Sequence, residues 1–389
     1  MNVDIIHPAQ YSRRVRLIGP PARPEQGVQQ PGGAVAGRDD VMKQLKALLP
    51  VVALAALVIA GVDDAGAQQP VRLTAATGIA PTVPTAWWFS DYIGPKLKEY
   101  SSGRIAPNVQ INGTLCNEHK CVEQARLGQI DIGSVSGGNI GSFGHTFDIL
   151  NLPYIFKDDA AAEKLITGWL GEELKKRAEK EMGLHVLAII PSYSFRNIDN
   201  SRREIRVPGD MAGIKFRVTK TEVELTLINT WGGTAVPYDW GQLYEGLQTK
   251  VVDGMYIPDA YVAAQKFYEV APYITRTGGG WNAHIIFMDL KRYQQLPDWA
   301  RQVVDRVGKE VEARGFAVDA EWMAKYTKQL EGKVKVYTPT ASELSLWYAG
   351  APPAWRAVKN TYDPALARRA LQDQGQQELI AKLERAGAL

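Results

Sequence analysis

The sequence predicts an α/β fold large enough for two domains. Strand-like and helix-like segments alternate from Val71 to Ile257, the pattern of helices layered on a sheet. A long helical run follows Pro297 with little interruption. The 389 residues are 45% hydrophobic and 22% charged, an ordinary soluble composition with material for two cores.

Taken in order, "VRLTAAT" (71–77) alternates as a first strand. "AWWFSDYIGPKLKEYSSG" (86–103) reads as an amphipathic helix stopped by Gly103, despite Pro95 inside it. "IAPNVQING" (105–113) is a second strand, and "CVEQARLGQIDIGSVS" a helix closed at Gly128 followed by a strand over 130–135. Residues 159–182 read as one charged, Ala-rich helix, and "LHVLAIIP" (184–191) as a strongly apolar strand. "IKFRV", a helix around 221–231, "TAVPY", a helix at 240–249 and "VVDGMYI" continue the alternation. Strands separated by helices predict parallel pairing, with ligands where strand ends meet helix starts. The helical run extends to about Glu331, and "LSLWYAGAPPAWRAVKN" and the last 25 residues add further helices.

The N-terminal region has a different character. From Met42, Lys43 and Lys46 precede an apolar run from Ala47 to Val62, and Ala65-Gly66-Ala67 follows as a small-x-small site. Those features predict a signal peptide over 42–67, cleaved after Ala67, and hence export. The run is 16 residues and contains Pro50 and Gly61, short for a membrane span, so no insertion of the mature chain is expected. Residues 1–41, rich in Pro, Gly, Gln and Arg, are read as a start-site artefact or a disordered extension. The net charge of +3 offers no basic field for nucleic acid.

Export changes the reading of the two cysteines, Cys116 and Cys121 in "GTLCNEHKCVEQ". In an oxidising compartment they read as a local disulfide. A continuous helix would hold their Cα atoms too far apart, so a bridge requires the helix to begin inside the pair, with Asn117 as N-cap. A metal site with His119 is the alternative. It is disfavoured because His145, His185 and His284 show no ligand spacing. No phosphate loop, GxSxG elbow or HExxH occurs, and "GGNIGSFG" (137–144) lacks GxGxxG spacing. It reads as a turn where backbone comes close to a ligand or a neighbouring strand. Asp239 and Glu245 read as solvated or capping residues. This absence of catalytic motifs shifts weight from catalysis toward binding, and no cofactor is expected.

One residue resists a bland reading. In "DMAGIKFRV" (210–218) a strand carries Arg217 between Phe216 and Val218. A buried guanidinium is always charged and needs an anion, supplied either by the protein or from outside. With that stretch come "LGQIDIGSVS" (127–136), "LNLPYIF" (150–156), "WGGTAVPYDWGQLYEGLQTKVVDGMYIP" (231–258) and "AAQKFYEVAPYI" (263–274). Together they resemble the DctP-type extracytoplasmic solute-binding proteins of TRAP transporters, from about residue 70 to the C-terminus.

The resemblance implies a two-lobed periplasmic-binding-protein fold, type II-like, with hinged lobes and a long connecting helix. Lobe I is expected over 68–193 plus 282–322 and lobe II over 194–281 plus 323–389. It implies a periplasmic receptor, not an enzyme, that captures an organic acid and delivers it to the small and large membrane subunits of a TRAP permease. A secreted enzyme acting on an organic acid, or a ligand-sensing ectodomain, is the alternative. Arg217 matches the family arginine that grips the ligand carboxylate in a bidentate salt bridge, against an internal Arg–Glu bridge as the other reading. Arg196 resembles a second arginine of the sialic-acid receptors, with one residue of slippage, against a surface or hinge arginine. Ile257 stands where those receptors have Asn, and Trp240 where they have Phe. Tyr256 replaces a metal-binding Glu of the keto-acid branch, so a cation-assisted site is not implied. Trp88, Tyr238 and Trp281, with Trp87 and Tyr261, are candidates for stacking on a ligand, against core packing. The lost Asn points away from a polyhydroxylated sugar acid and toward a less polar carboxylate.

Overall fold

Nine strands form one sheet in the computed structural model, which describes residues 69–389. The expected signal peptide over 42–67 and the segment before it lie outside the described residues. The strands are β1 (Val71–Thr77), β2 (Ile105–Gln110), β3 (Ile132–Ser136), β4 (Leu184–Asn200), β5 (Lys215–Val218), β6 (Thr234–Pro237), β7 (Gly254–Ile257), β8 (Tyr273–Asp289) and β9 (Lys335–Tyr337). Their order is β2-β1-β3-β8-β4-β7-β5-β6, with β9 beside β8.

The expectation of parallel pairing holds only in part. β1 pairs in parallel with β2 and β3, and β5 with β6 and β7. Between these two groups run β4 and β8, antiparallel to each other and to β3 and β7. Each of the two is 17 residues long and serves both halves of the sheet, giving a mixed α/β sheet in two lobes.

β4 does not cross from one half to the other as a regular strand. Its register with β8 breaks between Pro191 and Phe195. Tyr193 and Ser194 sit there at φ of 62° and 60°, a left-handed conformation costly for residues with a Cβ. Asp319 holds the break by accepting the Tyr193 N–H at 2.7 Å. Asp319 belongs to helix Asp298–Lys328, which lies along β4. The first half of that helix buries Ala300, Val304, Val307 and Val311 against Leu187, Ala188 and Ile286. The far end packs Tyr326 with Tyr193, Val262 and Ile257 in a second cluster. Gly308 allows the crossing, because a Cβ there would come within 2.6 Å of the Leu187 carbonyl.

Two helices depart from expectation. The segment around Pro95 is helical, but passes through a π-turn at Trp88–Ile93 before helix Gly94–Tyr100. A wider turn accommodates a residue that has no N–H and whose ring crowds the preceding carbonyl. The run 159–182 divides into Asp159–Ile166, Trp169–Arg177 and a π-turn at Ala178–Met182, with the break at Gly168.

Candidate functional site

Arg217 is placed by strand alternation. Phe216 and Val218 point into the hydrophobic core with no exposure, which turns Arg217 to the other face of β5. Its side chain is 2% exposed, and Nε donates to the Tyr238 carbonyl at 3.0 Å. The guanidinium carbon lies 5.6 Å from the Trp240 ring centroid. Among the described residues, neither terminal nitrogen has a hydrogen-bond partner. Burial pushes its pKa down to about 10, which still leaves it charged at neutral pH.

A narrow cavity lies beside it. By the expected lobe division, Arg196, Arg217, Thr219, Trp240, Ile257 and Tyr261 line its lobe II wall, and Ile79, Glu118, Ser136, Asn282 and His284 its lobe I wall. Glu118 is 4% exposed on the short loop closed by a Cys116–Cys121 disulfide, whose Cα atoms are 4.9 Å apart. The helix after this loop begins at Cys121, as a bridge requires, but its N-cap is Lys120. Asn117 instead accepts the His119 N–H with its side chain, one turn earlier.

Glu118 Oε1 accepts the Ser136 N–H at 3.1 Å, and Oε2 accepts from Asn139 Nδ2 at 2.7 Å. Burial pushes this carboxyl up, but neighbouring His284 and the hydrogen bonds from Ser136 and Asn139 more than reverse that, so it stays ionised. His284 Nδ1 is 3.8 Å from Glu118 Oε1 and has no hydrogen-bond partner among the described residues. Burial pushes the imidazole down, against the pull of Glu118, so it is neutral near pH 7. The two walls also meet at their rims. His119 Nε2 lies 3.5 Å from Asp239 Oδ2, and the Lys220 N–H donates to Asn139 Oδ1 at 3.3 Å. The Gly-rich stretch is helical, over Gly137–Ile140 and Gly141–Phe143, rather than the turn expected, but its backbone does come close to a neighbour: Gly138 backs onto Thr219, with no room for a Cβ between them.

Of the residues singled out from sequence, Arg217, Arg196, Trp240, Ile257 and Tyr261 come together here. Arg196, however, is held by the protein through both terminal nitrogens, with Nε in an ion pair that makes no hydrogen bond among the described residues. Nη1 donates to the Tyr256 carbonyl at 3.0 Å, Nη2 to Asn282 Oδ1 at 2.7 Å, and Nε lies 3.3 Å from Glu224 Oε1. It is the internal Arg–Glu bridge that was the other reading of Arg217. Tyr256, Tyr238, Trp88 and Trp281 lie outside the cavity. Tyr256 alternates with Ile257 and so faces away, edge-on to Trp231. Tyr238 contributes its carbonyl, while its ring covers Gly246. Trp88 packs edge-on with Trp87 and Tyr92, and Trp281 stacks on Phe316. Both tryptophans are 1% exposed.

Glu118, Ser136, Thr219, Asn282 and His284 escaped the sequence reading. Only Glu118 left a signal there, as an acid inside a six-residue cysteine loop. Among the described residues no group of three or more His, Cys, Asp or Glu is arranged to hold a metal. What the cavity offers is a charged donor fork on one wall and acceptors on the other.

Comparison with known proteins agrees with this architecture. Residues 91–361 match the family described as bacterial extracellular solute-binding protein, family 7. The 2,3-diketo-L-gulonate-binding periplasmic protein YiaO of Escherichia coli is 26% identical over 209 residues, 54% of this chain and 63% of that protein, less than two thirds of its length. The sugar acid binding protein of Advenella mimigardefordensis, solved with galactonate, superposes with a TM-score of 0.74 at 25% identity, covering 82% of this chain and 99% of that one. A TRAP periplasmic solute-binding protein of Sulfurospirillum deleyianum with bound succinate gives 0.72 at 21% identity, over 78% and 99% of the two chains. With a family match over more than half its residues and this fold around the cavity, the chain belongs to family 7 of the bacterial extracellular solute-binding proteins, the DctP family.

Proposed function

We propose that this protein captures a small organic carboxylate between two hinged lobes and presents it to the membrane subunits of a TRAP permease in the periplasm. The observation that carries the reading is the free face of Arg217: two terminal nitrogens, without a partner among the described residues, on a residue that is 2% exposed. Keeping a charge buried and unpaired is costly, and a planar fork matches a carboxylate in two parallel hydrogen bonds. The relatives support the class, since two of those solved with ligands hold succinate and galactonate. No helix among the described residues is long and apolar enough to cross a membrane.

The division into 68–193 plus 282–322 and 194–281 plus 323–389 is part of the proposal. It is supported by the register break between Pro191 and Phe195. Calorimetry against a carboxylate panel tests the reading. Arg217→Ala should lose about 2–5 kcal/mol of binding, roughly 30-fold or more, and Arg217→Lys nearly as much. Wild-type affinity in folded Arg217→Ala would falsify it. Recovery of the ligand chemically unchanged after prolonged incubation separates a receptor from an enzyme.

A further inference from the structure

The wall facing Arg217 narrows the ligand class. We infer that the cavity selects a small monocarboxylate carrying a hydrogen-bond donor, a hydroxyl or a protonated amine, and rejects dicarboxylates. This inference rests on the carboxylate reading of Arg217. Four buried charges border or back the cavity, and two cancel: Arg196 is paired with Glu224 at 3.3 Å. Arg217 and Glu118 remain, one on each wall, and among the described residues neither has an ion pair with a group of fixed charge. A ligand carboxylate on Arg217 balances the first charge. A second ligand carboxylate would meet Glu118, whose oxygens are already oriented by Ser136 and Asn139 at 3.1 and 2.7 Å. Like charges brought together out of water repel strongly.

His284 extends the acceptor wall. It is 2% exposed, and Nδ1 faces the Glu118 carboxylate at 3.8 Å. An anion at that position favours the tautomer with its proton on Nδ1, which leaves Nε2 as an acceptor. Glu118 and His284 therefore ask the ligand for a proton donor, the opposite of what Arg217 asks. Ile79, Ile257 and Trp240 supply the apolar lining between these polar groups.

The test is a matched set measured calorimetrically on the exported protein: 2-hydroxyisovalerate, valine, isovalerate and succinate. At least one of the first two should bind roughly tenfold or more tighter than isovalerate and succinate, and which one distinguishes the hydroxyl from the amine. Glu118→Gln, which keeps an acceptor but removes the charge, should narrow that gap and raise the affinity for succinate. The wild-type panel decides the matter even if this variant folds poorly. Isovalerate or succinate binding as tightly as both donor-bearing acids overturns the inference, as does silence from all four. If the donor-bearing acid binds but Arg217→Ala retains it, the carboxylate reading itself fails instead.

Discussion

Arg196 and Arg217 share a cavity and differ in what holds them. Every nitrogen of Arg196 faces protein oxygen, whereas Arg217 is committed only through Nε. Truncating Arg196 strands Glu224, itself 1% exposed, so Arg196→Ala should cost about 3–5 kcal/mol in urea unfolding. Arg217→Met removes a buried charge that the ligand-free protein does not pair. Its unliganded stability should match or exceed wild type, while ligand-induced stabilisation disappears. The tryptophans behave in the reverse sense. Trp88→Phe and Trp281→Phe open space in packed clusters and should each lose about 1–3 kcal/mol of stability with ligand affinity unchanged.

At the scale of elements, the break in β4 depends on helix Asp298–Lys328. Asp319 is 2% exposed, and burial holds its carboxyl at about 7, against the pull of the Tyr193 amide. A folded-state value above the ordinary one means the folded protein keeps a proton that the unfolded chain has released. The contribution is therefore full below about pH 4 and falls as pH rises to about 7, by on the order of a few kcal/mol. Asp319→Asn keeps an oxygen for the Tyr193 N–H and removes the titration. Urea unfolding should then show equal stability at pH 4 and a more stable variant at pH 8; an unchanged pH slope rules the argument out. The loop carrying Glu118 is the second such element. Mass spectrometry of unreduced protein should show Cys116 and Cys121 two hydrogens short, and reduction should cost about 2 kcal/mol for so small a loop. It should also weaken binding, because Glu118 is presented from inside that loop.

For the molecule as a whole, β4, β8 and helix Asp298–Lys328 are the elements shared by both halves of the sheet. Closure about the β4 break would bring together the two walls that meet at His119–Asp239 and Lys220–Asn139. Small-angle scattering should show a smaller radius of gyration with ligand than without, and no change in Arg217→Ala. Gly308→Val should stiffen or disrupt this frame, because its side chain would collide with the Leu187 backbone. A loss of about 1–3 kcal/mol is expected in thermal unfolding.

Local rules determined much of this protein. Period-two alternation around Phe216 and Val218 turned Arg217 away from the core, and its fixed charge demanded an anion whatever the fold. The cysteine spacing likewise required the helix to start within the pair, as it does at Cys121. Tertiary structure decided the rest, because long-range pairing set it. His284 reaches Glu118 through the register of β3 with β8, which puts Ser136 opposite His284. Whether Arg196 or Arg217 was the internal bridge depended on Glu224, which a helix brings to one arginine and leaves short of the other. The strand ending at Pro191 continues to Asn200 only because Asp319, 126 residues from Tyr193, catches the amide that the break exposes. Alternation is a property of neighbours along the chain and can be read there; a partner for a buried charge is a property of the fold.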